Sequence, residues 1–133
     1  MKMTYHLITS LILSLILMPI YGYNSFLVLV GGYLVDIDHY IRYAFLNKIF
    51  NIKESYRYHK IQHRTPFPKF FIFHNLELLI ILAILSFFSQ IIMIISFGYV
   101  IHMLIDVFHG FKTKKLHHKR WSIIYYLFNQ SSQ

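Results

Sequence analysis

GGYLVDIDHY, Gly31 to Tyr40, is where an apolar run stops in two carboxylates and an imidazole. The chain has only five acidic residues, and Asp36 and Asp38 are two of them. The run that leads into this stretch begins near Phe26. It is continuous rather than alternating and longer than an ordinary strand, which predicts helix. Asp36 and His39 are three residues apart and share a helical face. Asp38 lies about 160° from Asp36 around an ideal helix. It reaches the same site only if the helix has ended by then; otherwise it supports a ligand or caps the next turn.

The rest of the chain places this stretch. Its 133 residues suggest one domain, 1–133. Hydrophobic residues make up 56% and the mean hydropathy is +0.50, too apolar for an ordinary soluble domain. There is no cysteine, so disulfides and thiolate metal sites are excluded. The formal charge is +8. On so apolar a chain, that charge points to the lipid bilayer and its anionic headgroups, and no nucleic-acid partner is expected. Lys2 and the following LITSLILSLILMPIYG look like the start of a signal peptide. Apolar character resumes at Phe26 without a small-residue cleavage site, so a retained membrane helix is expected.

Four apolar segments are visible: Tyr5–Ile20, Phe26–Tyr40, Phe70–Phe88 and Ile91–His109. Each runs about 15–20 residues, and none alone is a comfortable span of a bilayer core, which takes roughly 20; helices of that length could still span a thin bilayer or sit deep in one leaflet as a bundle. The two turns, Pro19–Ser25 and Ser86–Gln90, carry no charge. The expected fold is therefore all-α, a membrane-embedded four-helix bundle of two helical hairpins. The hairpins cover 5–40 and 70–110, with a basic interfacial segment 41–69 between them and a basic tail 111–133. All thirteen Lys and Arg then fall on one side. The positive-inside rule makes that side cytoplasmic, both termini included, as in a cell inner membrane. The competing reading is a very apolar soluble bundle with a basic face.

This topology brings four segment ends to one layer. They carry His6, then Asp36, Asp38 and His39, then His74 and Glu77, then His102, Asp106 and His109. Imidazole and carboxylate without thiolate suit a divalent metal, with zinc favoured and manganese or iron possible. Such a metal lowers the pKa of bound water. One carboxylate of the DxDH stretch can ligate while the other orients a ligand imidazole. Ionisable groups within a membrane bundle face its interior or a wet cavity, which favours a functional layer over chance polar ends. Glu77, inside NLELLIILAIL, needs a ligand role, a cationic partner such as Arg64, or a proton. His63 and Arg64 belong to the basic segment, where Arg64 can hold a phosphate bidentately.

These motifs resemble the small membrane-bound metal-dependent hydrolases of the LexA-binding, inner-membrane-associated (YdjM-like) group. Their pattern is an early His, P-D-x-D-H ending a hydrophobic helix, H-R-x-x-T-H-S, and a late G-x-x-x-H-x-x-x-D. Here His6 looks like the early His, VDIDH matches at Asp36, Asp38 and His39, HR is His63-Arg64, and GYVIHMLID matches at Gly98, His102 and Asp106. Val35 stands in place of the proline. The second His of the H-R motif is displaced to His74, with Asn75 after it in place of serine. The resemblance implies a metal-dependent hydrolase at the membrane.

The combined expectation is a hydrolase with its site at the cytoplasmic face. Asp36, His39, His102 and Asp106 would be metal ligands, with His6 or His63 completing the set. Asp38 or Glu77 would act as general base or orienting group, and Arg64 would stabilise an anionic transition state. Headgroup depth and the surrounding cations suggest a phosphoester of a lipid or lipid-linked molecule. The alternative is a membrane metal-binding or regulatory protein without hydrolase activity, or an Asp–His hydrogen-bond network without metal.

Overall fold

The computed structural model describes residues 3–62, 69–70, 73–113, 119–120 and 122. The fold is all-α. Among the described residues six α-helices follow in order: α1 (Met3–Tyr21), α2 (Val28–Gly32), α3 (Ile37–Asn47), α4 (Ile52–Gln62), α5 (Leu76–Ser86) and α6 (Gln90–Lys112). The described residues also include two 3₁₀ stretches, Gly22–Leu27 and Leu34–Asp36, and a two-residue parallel pairing of Lys69–Phe70 with Lys119–Arg120. Two helical stretches, Met3–Phe45 and Gln90–Lys112, are long and apolar enough to cross a membrane.

Local chemistry sets the ends of these helices. Gly22, at φ +57°, takes the left-handed conformation that closes α1. A 3₁₀ stretch, Gly22–Leu27, then turns the chain back. Asn75 caps α5 by accepting a hydrogen bond from the Leu78 N–H at 2.7 Å, and Ser89 caps α6. Asn51 caps α4 through the N–H groups of Lys53 and Glu54. The Tyr43 hydroxyl donates to Glu54 at 3.2 Å and ties α3 to α4.

The helix α6 is central. It packs against α2 and α5, and it touches α1. The α2–α6 crossing is a backbone-to-backbone contact. A methyl group at Gly31 would strike the Ile95 carbonyl, and one at Gly98 would strike the Val28 carbonyl. Only glycine allows that approach. Serine supplies much of the remaining interior. Ser10, Ser14, Ser25 and Ser96 are buried, and Ser96 donates to the Leu82 carbonyl at 3.0 Å.

The polarity pattern is inverted relative to a water-soluble bundle. The buried stripe of α1 is His6, Ser10 and Ser14, spaced by four, while Ile8, Ile12, Leu15 and Ile16 are exposed. No residue of α5 is buried, and Ile80, Ile81 and Ile84 are exposed. The buried apolar core is small; it centres on Val35, Tyr99 and Met103, with Phe73, Leu78, Leu79 and Leu82 against it.

The segment 26–40 differs from the continuous helix expected of it. It breaks at Tyr33, passes through one 3₁₀ turn (Leu34–Asp36) and restarts as α3. Two consecutive glycines, Gly31 and Gly32, weaken the helix there. Among the described residues of the third apolar segment, helix begins at Leu76, and the 11 residues of α5 span about 16 Å.

Candidate metal centre

The break after Gly32 builds the site. In a continuous helix the Gly32 carbonyl would accept from the Asp36 N–H. Instead the Asp36 N–H donates to the Tyr33 carbonyl at 3.2 Å. The freed Gly32 carbonyl accepts from Nδ1 of His102 at 2.9 Å. A carbonyl can only accept, so His102 carries its proton on Nδ1 and offers Nε2 as a lone pair. Asp36 occupies the N-cap of α3, yet its carboxylate makes no capping bond. It faces the imidazoles instead.

His74 is positioned from three directions. Tyr99 on α6 donates its hydroxyl to the carbonyls of Phe73 and Asn75, both at 2.9 Å. Asn75 anchors the following helix. Oδ2 of Asp38 accepts from the Phe73 N–H at 3.1 Å and from His74 Nδ1 at 2.9 Å. That last bond fixes the His74 tautomer and turns Nε2 toward His102, 2.9 Å away.

Acceptors therefore converge at one point. Oδ1 of Asp36 is 3.4 Å from His74 Nε2, 3.8 Å from His102 Nε2 and 3.5 Å from His39 Nε2. Asp106 lies between His6, whose Nε2 is 3.4 Å from Oδ1, and His74, whose Nε2 is 3.9 Å from Oδ2. His6 stacks on His102 with ring centroids 4.0 Å apart, and His39 stacks on His74 at 5.1 Å. His6, Asp36, His74, His102 and Asp106 are all buried, while His39 stands 21% exposed at the margin.

Burial alone would lower the pKa of His74. Its hydrogen bonds to Asp36 and Asp38, with the charges of Asp38 and Asp106, outweigh that and raise it to about 9. The raised pKa favours a second proton on His74 Nε2, which faces both His102 Nε2 at 2.9 Å and Asp36 Oδ1 at 3.4 Å. The same place is where a cation would sit.

The residues fit a divalent metal. Three groups bring their ligand atoms within 4.8 Å of one another: His6, Asp36 and His102; Asp36, His39 and His74; His74, His102 and Asp106. Tetrahedral zinc at about 2.0–2.1 Å from nitrogen sets its ligand atoms roughly 3.3 Å apart. The nitrogen–oxygen separations above are close to that. The orienting contacts on His74 and His102 are those that metal-bound imidazoles use.

Of the residues singled out from sequence, His6, Asp36, His39, His102 and Asp106 come together. Asp38 joins them as the partner of His39 and His74; its Oδ1 is 3.4 Å from His39 Nδ1. Glu77 lies outside the three groups and accepts from the Ser122 hydroxyl. His63 and Arg64 lie outside the described residues. His109, half-buried one turn beyond Asp106, belongs to none of the three groups. The residue missing from the expected ligand set is His74. The signal for it was its place in the layer, immediately before the capping residue Asn75. Tyr99 was missed too, since a tyrosine among apolar residues reads as packing.

The fold and the site define an all-α protein with two helical stretches suited to a membrane and a buried His/Asp cluster able to hold a metal ion. The chain matches no protein-family model, no curated protein and no solved structure.

Proposed function

We propose that this chain is an integral-membrane, divalent-metal-dependent hydrolase whose site faces the cytoplasm, with a phosphoester of a lipid or lipid-linked molecule as substrate. The observation that carries the metal is the pair of Nε2 atoms of His74 and His102, 2.9 Å apart, with each Nδ1 already committed. Two lone pairs so close need a proton or a cation between or beside them, and Asp36 and Asp106 supply charge for the cation. Zinc is the favoured ion for this donor set.

The inverted polarity supports the bilayer. Ile12, Leu15, Ile16, Ile20, Ile80, Ile84, Leu104 and Phe108 are each more than half exposed. In water each would forgo roughly 1–2 kcal/mol of burial. Their sum rivals the whole stability of an ordinary domain, about 5–15 kcal/mol. Lipid contact removes that cost. α1 is also about 28 Å long, close to the thickness of a bilayer core. The uncharged turns at Gly22–Ser25 and Phe87–Ser89 lie at the far ends of α1 and α6 from the cluster, and the chain's cations lie elsewhere. The positive-inside rule then sets the cluster toward the cytoplasm.

The resemblance to YdjM-like hydrolases supplies the reaction class. A divalent cation in this cluster would activate water and polarise a phosphoryl oxygen. The chain's own residues would orient the ligand imidazoles (Asp38 and Gly32), hold His74 in place (Tyr99) and leave one margin accessible (His39). Arg64 is assigned to the anionic transition state. Glu77 is a further candidate base, in competition with its bond to Ser122.

The depth of the cluster favours a second reading, a membrane metal-binding or regulatory protein without hydrolase activity. One experiment separates the two. Full-length protein, purified in detergent and loaded with zinc or manganese, is assayed on phosphomonoester and phosphodiester lipids. Metal-dependent cleavage that disappears in Asp106→Ala supports the hydrolase. Stoichiometric metal without any cleavage supports the second reading. A chain that binds no divalent metal removes both.

A further inference from the structure

The three ligand groups overlap in a way that one tetrahedral cation does not account for. His6–Asp36–His102 and Asp36–His39–His74 have only Asp36 in common, and the third group, His74–His102–Asp106, takes one imidazole from each and joins them at the 2.9 Å contact of the two Nε2 atoms. Asp106 spans the same gap, with Oδ1 toward His6 at 3.4 Å and Oδ2 toward His74 at 3.9 Å. The imidazoles stack in two pairs, His6 on His102 and His39 on His74, and the pairs meet edge to face where His74 touches His102. The orienting contacts divide the same way. Both oxygens of Asp38 face the second pair, one to each Nδ1, while the Gly32 carbonyl serves the first. Four imidazoles and two carboxylates exceed the four ligands of a tetrahedral site.

Resting on the metal reading above, we propose that this is a two-cation site bridged by Asp36 and Asp106. One cation takes His6 and His102, and the other takes His39 and His74. Each then has two imidazoles and a share of two carboxylates. Paired metals in hydrolytic sites sit about 3.5–4 Å apart, a spacing that carboxylate bridges provide. Helical bundles hold metal pairs through inward carboxylates and histidines of this kind. Two divalent cations against two carboxylates leave positive charge, which suits an anionic substrate such as a phosphoester. The second pair lies nearer to solvent, because His39, at 21% exposure, is the least buried of the six residues.

The test uses full-length protein in detergent, stripped of metal and reloaded with manganese(II). Bound metal is counted by elemental analysis, and the spin state is read by electron paramagnetic resonance. Wild-type protein should hold about two manganese ions per chain and give an exchange-coupled spectrum. His39→Ala should reduce the count to about one and leave an uncoupled signal, and so should His6→Ala. Asp36→Asn should abolish the coupling. One uncoupled ion per chain in wild type overturns the two-cation site and leaves the metal reading standing. No bound ion in wild type, with either manganese or zinc, overturns both. The wild-type count and spectrum decide the question even if a variant fails to fold.

Discussion

His74 Nε2 lies 2.9 Å from His102 Nε2, while Nδ1 of His74 is bonded to Asp38 and Nδ1 of His102 to the Gly32 carbonyl. The two Nε2 atoms therefore either share a proton between them or bind metal beside them. The pKa of His74, raised to about 9, gives the competition a direction. Metal affinity should rise about tenfold per pH unit from pH 6.5 toward 9 and then level off, as the displaced proton is lost. Titration of stripped protein against a buffered zinc indicator across that range reads it. A flat profile would show that no proton is displaced.

The same shift makes the metal-free protein pH-sensitive. The ordinary pKa of histidine, 6.5, is exceeded in the folded state. The stabilisation from His74 is thus fully present below about pH 6.5 and is lost as pH rises through about 9. Thermal unfolding of stripped protein in detergent should move to lower temperature over that window. Saturating zinc should remove or reverse the trend, since deprotonation then favours the bound state.

Asp38 acts through other side chains, and its substitution should show that. Asp38→Asn keeps the shape but removes the charge that accepts from His74 and faces His39. Loss of an orienting partner of a ligand histidine typically costs 10–100-fold in metal affinity. The expected result is a drop of that size with the number of bound ions at saturation unchanged. Asp106→Ala removes a proposed ligand and should lower the saturating count itself. Elemental analysis at high metal concentration distinguishes the two outcomes.

Much of this centre could be read from sequence because its ligands lie at segment ends. The uncharged turns fold each hairpin back, and that alone stacks His6, Asp36, His102 and Asp106 at one level. The spacing from His102 to Asp106, four residues, sets both on one face of α6. What spacing could not decide was Asp38. On an unbroken helix it points away from Asp36, and only the break at Gly32–Tyr33 lets both carboxylates face the histidines. Glycine pairs occur inside and at the ends of helices, so the break is a tertiary outcome: α2 closes on α6 until the backbones touch. His74 was obscured for a related reason. The stretch before α5 carries no strong periodicity, and its position is set from a distance by Tyr99 and Asp38.

Tyr99→Phe tests that long-range support. It removes the hydroxyl that donates to the carbonyls of Phe73 and Asn75 and leaves the ring in the core. One lost hydrogen bond costs about 1 kcal/mol, with more if the buried carbonyls find no new donor. The melting temperature should fall by a few degrees, and metal affinity should fall because His74 is less well placed. Gly98→Ala should be more severe, since its new methyl would meet the Val28 carbonyl on the facing backbone. Overpacking of that kind costs about 1–3 kcal/mol or more, and here the object in the way is main chain, which cannot rotate aside. Melting curves of the two variants in one detergent give the order directly.

The exposed face of α1 decides between lipid and water by the sign of one effect. Ile12 is 54% exposed and sits midway along a helix whose buried stripe is His6, Ser10 and Ser14. In a bilayer, Ile12→Lys places a charge near the middle of the hydrocarbon, at a cost of about 2.5–3.5 kcal/mol on insertion scales. Membrane-fraction yield should fall steeply. On a water-soluble bundle the same change replaces an exposed apolar side chain with a solvated one, so soluble yield should rise and stability should change by less than about 0.5 kcal/mol. Tyr5→Lys, near the end of the same helix, should be tolerated in either setting, because a long cationic chain there reaches the headgroups. Fractionation of the three proteins into membrane and soluble pools reads the sign. A soluble, folded Ile12→Lys variant would remove the bilayer from the proposed function and leave the metal centre untouched.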